Sequence, residues 1–368
     1  MIKLGIITGD QKRNKTGIGT YTFQLIENLK NNLDISIIKH PTGDFEPGCQ
    51  SITSSFPGPF SHILWSQGLS LKKNEFKSLD IIHNPAQYPV LPNIGRNYIV
   101  TIHDLIPILY PHYVGSIFSI QAKLFYPYIL KKASKIITVS NHTKSDILKQ
   151  YKIPDHKIDV IYSGVSNHFN PSSLEERKRI KLKYNLNRPY ILFVGAIEPK
   201  KNIELLINAF YICQKRDSNL DLVIAGKKAW KFEIVFKLIQ TLNLTKKIHI
   251  LSFVPYEDLP ALYSSASVFV FPSRYEGFGL PPLEAMKCGI PVITSNVSSL
   301  PEIMGDEGLM VSPNDHKQLA ELILKIISNP EYYHKYSLYS LERAKLFTWK
   351  KTAVDTQKVY NSVIESGK

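Results

Sequence analysis

Residues 268–288 read VFVFPSRYEGFGLPPLEAMKC, and this stretch decides the class of fold. Four β-branched or aromatic residues predict a buried strand, and a loop with two glycines follows them. A helical pattern begins near Pro282, because proline is favoured in the first turn of a helix. A buried strand that passes through a glycine loop into a helix is typical of parallel α/β sheets. Two carboxylates flank the loop, Glu276 within it and Glu284 in the first turns of the helix.

The same alternation of strand and helix continues in both directions along the chain. It predicts elements at 2–8, 22–29, 98–103, 135–140, 141–150, 158–162, 190–194, 204–214, 220–225, 228–242, 248–251, 259–264, 268–271, 282–288, 291–294 and 349–364. A polar break at 185–189 separates two sets of strands. We therefore predict two doubly wound parallel sheets, in domains at 1–186 and 187–346.

Composition and charge narrow the classes of function. The chain has 368 residues, 43% hydrophobic and 21% charged, which excludes disorder, collagen and coiled coil. The net charge is +14, and residues 1–185 hold 23 basic against 13 acidic side chains. Such a basic half indicates nucleic acid, an anionic membrane or a phosphorylated ligand as partner. The three scattered cysteines indicate no metal site or disulfide framework, and we expect no signal peptide and no membrane span.

Residues that directly follow strands are candidates for the site, because ligands of open α/β sheets bind beyond the carboxyl ends of strands. Gly17 and Gly19 precede the first helix, where they could approach an anion or form an ordinary turn. His103 ends a buried strand and could bond a substrate hydroxyl, shuttle a proton, or form a structural pair with Asp104. Ser140 opens a helix as a ligand contact or a cap.

The second half of the chain carries the richer set of candidates. Lys200 and Lys201 stand just before a helix, where they could clamp a phosphate or lie on a solvated face. The glycines of the loop after Glu276 expose backbone N–H groups that can face an anion. Two carboxylates, Glu276 and Glu284, with amides between them suit a ligand with hydroxyls at both ends and phosphates in the middle.

These segments resemble the retaining family 4 glycosyltransferases, which have the GT-B fold. The resemblance spans nearly the whole chain in the family's order, at 16–29, 101–107, 137–146, 160–169, 191–210, 222–230, 251–262, 271–291 and 347–360. It implies two Rossmann-like domains with an interdomain cleft, the first for the acceptor and the second for a nucleotide sugar. It also implies that a C-terminal helix within 347–368 packs back on the first domain.

The resemblance implies a role for each candidate in the second domain. Glu276 would contact hydroxyls of the donor sugar, and Glu284 would bind the ribose hydroxyls of the nucleotide. Lys201 would hold the diphosphate, and Val254 would present its backbone to the base. The backbone amides that help to hold the diphosphate would be those of Gly277, Phe278, Gly279 and Leu280.

In the first domain, the resemblance implies that His103 approaches the donor sugar. The other contacts from that domain would come from Gly17, Gly19 and Ser140. One position departs from the family's pattern, because many members carry arginine where this chain has Ala196. Lys200 or Arg274 would then supply the missing cation.

The mechanism that the resemblance implies needs no metal and no other cofactor. No Asp-x-Asp motif occurs in a suitable loop, so lysine and backbone amides would stabilise the departing diphosphate. Retention follows if the acceptor hydroxyl attacks the face that the diphosphate leaves. In that case Glu276 is not a covalent nucleophile.

Segments 101–107, 198–202 and 226–230 most resemble bacterial mannosyltransferases of surface-polysaccharide assembly, lipopolysaccharide included. The resemblance favours GDP-mannose as donor and leaves a UDP-hexose or dTDP-rhamnose open. The acceptor would be a lipid-linked glycan, which places the enzyme in the cytoplasm at the inner face of the membrane. Residues 116–135, aromatic and basic, predict either a membrane-contact helix or a core helix with a basic edge.

Two further hypotheses compete with this one. A GT-B enzyme with a soluble acceptor would share the same motifs and would not pellet with membranes. A basic nucleic-acid-binding protein would need a helix-turn-helix, zinc or aromatic-platform signature, and the sequence has none. The oligomeric state stays open.

Overall fold

The computed structural model of the chain describes residues 1–9, 16–40, 49–53, 69–90 and 97–366. The chain forms two compact units. The first unit holds residues 1–164 together with 348–368, and the second holds residues 165–347.

The first unit is built on a parallel sheet. Its described residues form seven strands in the order β3-β2-β1-β4-β5-β6-β7, so the chain moves outward from β1 and then from β4 to opposite edges. This is a doubly wound sheet, with its switch point between β1 and β4. The elements are β1 Lys3–Gly9, α1 Gly17–Leu29, β2 Asp34–Lys39, β3 Gln50–Thr53, β4 Ile81–Asn84, β5 Tyr98–Ile102, α2 Ile106–Leu109, α3 Ser116–Lys132, β6 Lys135–Thr138, α4 Asn141–Gln150 and β7 Ile158–Val160.

The second unit repeats the plan with six parallel strands in the order β10-β9-β8-β11-β12-β13. Its switch point lies between β8 and β11. The elements are α5 Leu174–Lys183, β8 Tyr190–Val194, α6 Ile203–Arg216, β9 Asp221–Ala225, α7 Glu233–Thr241, β10 Ile248–Leu251, α8 Leu259–Ser264, β11 Val268–Phe271, α9 Leu280–Lys287, β12 Val292–Ser295, α10 Leu300–Met304, β13 Leu309–Val311, α11 His316–Ser328 and α12 Pro330–Ala344. The last helix, α13 Trp349–Ser366, belongs to the first unit.

The strands form from apolar runs because helices cover both faces of a parallel sheet. Every residue of β5, β9, β11 and β12 is buried. The helices present apolar residues to the sheet, as α1 does with Leu25, Ile26 and Leu29. The core of each unit therefore lies on the two sides of its sheet.

Helix α13 is fastened to the first unit by polar groups as well as by packing against α1. The hydroxyl of Tyr360 lies 2.7 Å from Nδ1 of His83, which is fully buried. The hydroxyl of Thr352 donates to the carbonyl oxygen of Tyr162 at 2.8 Å. Burial lowers the pKa of His83 to about 3, so this imidazole is neutral and its role is structural.

The boundary between the units differs from the predicted one. The structure assigns residues 165–186 to the second unit, because α5 packs on α8 there. Asp258, almost fully buried, accepts hydrogen bonds from Arg179 at 3.1 Å and Tyr184 at 2.8 Å, and it also pairs with Lys183. The polar break at 185–189 joins α5 to β8 inside one unit, so it is not the domain boundary.

Several predicted elements have the bounds that the structure gives. The strands at 190–194, 248–251 and 268–271 and the helices at 141–150 and 259–264 match residue for residue. The helix predicted at 228–242 begins only at Glu233, and the helix predicted at Pro282 already begins at Leu280. Propensity alone places the ends of helices poorly, because the capping contacts decide them.

Candidate active site

The carboxyl edge of the second sheet brings two predicted loops together. Strands β8 and β11 are neighbours and end at Val194 and Phe271. The loops 195–202 and 272–279 therefore leave the same edge side by side. This is the crevice at the switch point, where open α/β sheets bind ligands.

Hydrogen bonds hold these two loops against each other. The amide of Arg274 donates to the carbonyl oxygen of Lys200 at 2.8 Å. Nδ2 of Asn202 donates to the carbonyl oxygens of Pro272 and Pro313, at 3.1 and 2.8 Å. Asn202 is buried and has a left-handed backbone with φ 55°, which asparagine tolerates better than most residues. The loop geometry is thus fixed before any ligand binds.

Lys201 and Glu276 form an ion pair within this crevice. Nζ of Lys201 lies 2.6 Å from Oε1 of Glu276, and the two side chains are only 12% and 11% exposed. The ammonium also lies 4.7 Å from the centroid of the Phe271 ring. Burial raises the pKa of Glu276, but the positive charges of Lys201 and Lys200 outweigh it and hold that pKa below its usual range. An ammonium has three donors, so Lys201 retains capacity for phosphate oxygens.

The loop after Glu276 is shaped by two serines from the chain that follows β12. The amide of Glu276 donates to Oγ of Ser298 at 3.0 Å. Oγ of Ser299 donates to the carbonyl oxygens of Glu276 and Phe278, at 3.0 and 2.6 Å. Gly279 precedes α9 with φ +125°, a conformation that requires glycine. The turn thus carries the predicted diphosphate amides into the N-terminus of α9, those of Gly277, Phe278, Gly279 and Leu280.

Glu284 lies in α9 and is partly buried. The hydroxyl of Tyr263 donates to its Oε2 at 2.9 Å. Burial raises the pKa of Glu284 to about 7, and the bond from Tyr263 opposes that rise. This carboxyl therefore titrates near neutral pH, whereas Glu276 is ionised there.

Two cations could compensate for Ala196, Lys200 and Arg274, and their surroundings differ. The charge of Lys200 acts on Glu276, and its ammonium lies 3.5 Å from the carboxylate of Glu198. Arg274 is exposed, and its guanidinium donates to Oδ1 of Asn314 at 3.1 Å. Lys200 is thus the better placed of the two to act on the charged centre of the crevice.

Val254 lies in the loop after β10. The strand ends at Leu251, and Val254 is partly buried beside Phe253, whose side chain is 81% exposed. This loop leaves the same edge of the sheet as the loop after β8, because all of these strands are parallel. The placement agrees with a contact to the base, which stays a prediction.

In the first unit, His103 follows β5 and is held from three sides. Its Nε2 lies 2.7 Å from the carbonyl oxygen of Pro85, and its amide donates to Oε1 of Gln87 at 2.7 Å. The ring meets that of Tyr21 edge to face at 4.9 Å. Because a carbonyl only accepts, Nε2 carries the proton, and Nδ1 of the neutral ring is the acceptor. Burial lowers the pKa of His103 to about 4, so the ring is neutral at physiological pH.

The other first-unit candidates lie at the N-terminal ends of helices. Gly17 and Gly19 lie in the first turn of α1, and the amide of Gly19 donates to Oγ1 of Thr16 at 3.0 Å. Ser140 is fully buried and caps α4, where its Oγ accepts the amide of Thr143 at 3.1 Å. The capping interpretation of Ser140 thus has its geometry in the structure, while ligand contact by these three residues stays a prediction.

Comparison with known proteins agrees with this arrangement. The family "Glycosyltransferase Family 4" matches residues 15–168, and the family "Glycosyl transferases group 1" matches residues 175–343. The chain belongs to the family 4 glycosyltransferases. The predictions of the family and of a GT-B fold are therefore confirmed.

Two curated relatives and one solved structure illustrate the likeness of this glycosyltransferase. O-antigen chain mannosyltransferase B of Escherichia coli is 34% identical over 282 residues, which cover 76% of this chain and 74% of that protein. Serotype-specific mannosyltransferase WbdA of Escherichia coli is 32% identical over 270 residues, 71% of this chain and 33% of that much longer protein. The structure of sucrose-phosphate synthase from Thermosynechococcus elongatus superposes with a TM-score of 0.80 at 21% identity, covering 100% of both chains, and shows the fold alone.

The motifs did not indicate three residues that hold candidate residues in place, Tyr263 and Ser299 in the second unit and Gln87 in the first. Tyr263 contacts Glu284, Ser299 shapes the donor loop, and Gln87 positions the backbone of His103. Gln87 has φ 59° and also donates to the hydroxyl of Tyr126 at 2.6 Å. None of them lies in a motif, because each acts through a partner distant in sequence.

Among the described residues, no group of three or more His, Cys, Asp or Glu side chains could hold a metal ion. No described helix has both the length and the apolarity to cross a bilayer.

Proposed function

We propose that this glycosyltransferase moves mannose from a nucleotide-diphosphate mannose to a hydroxyl of a lipid-linked glycan in surface-polysaccharide assembly. The observation that carries the proposal is the buried pair of Lys201 and Glu276 at the switch point of the second sheet. It provides a cation for a diphosphate beside a carboxylate for sugar hydroxyls. The O-antigen mannosyltransferase at 34% identity supports mannose and this class of acceptor.

Charge development explains the catalytic roles. The bond between the anomeric carbon and the diphosphate breaks, which places negative charge on the phosphate oxygens and positive charge on the sugar. Lys201 and the amides of residues 277–280 stabilise the phosphate, and fixed dipoles are effective because they need no reorganisation. Lys200 supplies the positive charge that an arginine at position 196 would have provided, because its charge already acts on Glu276 in the same crevice. No metal is needed in this scheme.

Retention of configuration follows from the direction of attack. The acceptor oxygen bonds to the anomeric carbon on the face that the diphosphate leaves. The acceptor's proton passes to the departing phosphate oxygen, so atoms and charge balance without a covalent enzyme intermediate. Glu276 is engaged by Lys201 at 2.6 Å, which suits binding of sugar hydroxyls rather than nucleophilic attack.

The remaining candidates complete the proposed donor site. When it is ionised, Glu284 accepts hydrogen bonds from the ribose hydroxyls. Val254 contacts the base through its backbone. His103, neutral with Nδ1 as acceptor, receives a sugar hydroxyl. Gly17 and Gly19 of the first unit are proposed contacts on the phosphate side, and Ser140 is a further proposed contact from that unit.

A panel of donors tests this proposal. Purified enzyme is incubated with a lipid-linked glycan acceptor and GDP-mannose, UDP-glucose or dTDP-rhamnose, and the product linkage is read by NMR. The expected result is transfer from GDP-mannose with the donor's anomeric configuration retained. Preference for another donor contradicts mannose, and an inverted product contradicts the mechanism.

We also propose that α3 lies on an anionic membrane. The helix buries Tyr126, Ile129 and Leu130 but leaves apolar side chains in water at intervals of three or four residues. The exposed fractions are 67% for Ile117, 65% for Phe118, 57% for Ile120, 67% for Leu124 and 42% for Tyr128. The aromatic residues of this helix thus lie on two faces. Phe118 and Tyr128 are exposed, whereas Tyr126 is buried in the core and Phe125 packs against it.

Charge complementarity identifies the surface that this helix fits. Its sequence contains no acidic residue, and three exposed lysines lie among or after the apolar side chains, Lys123, Lys131 and Lys132. Apolar insertion together with lysines near anionic headgroups is the pattern of helices that lie in the membrane interface. Under this proposal the enzyme works at the inner face of the cytoplasmic membrane, where a lipid-linked acceptor is presented.

Vesicle sedimentation tests the membrane proposal and separates it from a soluble acceptor. The enzyme should pellet with phosphatidylglycerol vesicles at low salt and dissociate as salt rises, because screening weakens the lysine contribution. Ile120→Ser with Leu124→Ser should abolish pelleting. Leu338→Ser, at an apolar residue of α12 that is 49% exposed, should not. Equal pelleting of all three proteins, or of none, contradicts the proposal.

A further inference from the structure

The second unit has a cavity at the edge of its sheet opposite to the active site. Its floor includes Pro189, just before β8, and residues 264–267, just before β11. These are the amino ends of the two strands whose carboxyl ends carry the donor residues. The cavity measures about 640 Å³, which lies within the range of small-molecule sites.

Three cations line this cavity, and no carboxylate does. Arg177, Lys178 and Lys181 all come from α5. Within the described residues, none of the three has an ion pair, whereas their neighbours Arg179 and Lys183 are both paired with Asp258. Two of the five cations of α5, Arg179 and Lys183, are thus paired with Asp258, and the other three line the cavity.

Arg177 is partly buried, as is Lys181, whereas Lys178 is exposed. Nε of Arg177 donates to the carbonyl oxygen of Ser172 at 3.0 Å, which fixes the guanidinium and leaves its terminal nitrogens as donors. Its charge lowers the pKa of the Tyr333 hydroxyl, although burial raises that pKa more strongly. That hydroxyl, also on the cavity wall, has no hydrogen-bond partner among the described residues. A guanidinium, two ammonium groups and a hydroxyl form a donor set that suits phosphate oxygens.

The rest of the wall combines serine hydroxyls with apolar side chains. The serines are Ser264, Ser265 and Ser267, and the apolar residues include Ile326, Ile327 and Pro330. Inorganic phosphate alone would leave this surface and most of the volume unfilled. The chemistry therefore favours a phosphate attached to an organic body.

We propose that this cavity is a second ligand site, distinct from the donor site, that binds a small organic phosphate. The α5 cations hold the phosphate, and the apolar wall contacts the organic part. The inference concerns binding alone and does not depend on the proposed transfer reaction.

Calorimetric titration of the full chain tests this site. The donor site is first saturated with GDP, and the probes are glucose 6-phosphate, glycerol 3-phosphate and pyrophosphate. We expect saturable binding of one molecule per chain for glucose 6-phosphate or glycerol 3-phosphate, and binding of pyrophosphate alone would overturn the assignment to an organic phosphate. Arg177→Gln with Lys181→Gln should weaken it at least tenfold, because two charge-assisted contacts are lost.

A matched control carries the same change of charge. Arg216→Gln with Lys237→Gln neutralises two cations outside the cavity and should bind the probe as the unmodified chain does. Thermal melting of both variants checks that they fold. Absence of saturable binding for all three probes overturns the proposal, and so does equal affinity in the Arg177 and Lys181 variant. Binding that GDP abolishes also overturns it, since the probe then occupies the donor site.

Discussion

Replacing Glu276 by glutamine keeps the size of the side chain and removes the charge that faces Lys201. The ion pair is 2.6 Å long, and about nine tenths of each side chain is buried. A hydrogen bond to a charged group contributes about 1.5–3 kcal/mol. If the charged bond to Lys201 and one to a sugar hydroxyl are both lost, the loss is about 3–6 kcal/mol. That is a decrease of about two to four orders of magnitude in kcat/KM.

The assay measures kcat and KM for the donor at saturating acceptor, with thermal melting as the check on folding. Glu321→Gln, at an exposed glutamate of α11 in the same unit, is the matched control and should keep full activity. Lys201→Met should also lose activity, and the double variant should lose less than the sum, because the two residues act on each other. Turnover of Glu276→Gln within about threefold of the unmodified enzyme would refute its assigned role.

Two other substitutions give distinct readouts. Donor affinity should rise with pH as Glu284 ionises near pH 7. Tyr263→Phe removes the hydrogen bond that lowers the pKa of Glu284, so the midpoint of this rise should move to higher pH. Tyr190→Phe removes a buried hydroxyl bonded to a carbonyl instead and should leave that midpoint in place; equal midpoints in all three proteins would contradict the assignment. Gly226→Ala would put a Cβ 1.9 Å from the carbonyl oxygen of Gly195, so urea denaturation should show a loss of about 3 kcal/mol. An unchanged unfolding midpoint would show that the backbone yields there.

The regular elements of the second unit follow closely from the sequence. Strands β8 and β11, which are buried almost throughout, are short apolar runs that the sequence delimits. The edge strand β10 is mostly half-buried, and its apolar residues still mark its bounds. The unit boundary could not be found this way. Residues 165–186 include the capping box of α5, Ser173 with Glu176, but no local pattern assigns them to a unit, and contacts with distant residues such as Asp258 decide it.

The candidate site shows the same division. The motif at 276–284 predicted two carboxylates around a glycine loop, and both lie on the loop and helix where they were expected. The motif could not predict their different titration, because that depends on the partners. The positive charge of Lys201 lowers the pKa of Glu276. Burial raises the pKa of Glu284 to about 7, and the hydrogen bond from Tyr263 opposes that rise.

The sequence by itself determined the alternation of strands and helices, the family, and the chemical groups that the proposed donor site contains. These depend on local patterns of apolar residues and glycines, which lie within a few positions of one another. The tertiary structure alone decided which groups meet. Lys201 and Glu276 are 75 positions apart, and His83 and Tyr360 are 277 apart. Lys201 and Glu276 meet because parallel strands carry their loops to one edge of the sheet, and His83 meets Tyr360 because helix α13 packs on the first unit; no local pattern records either arrangement.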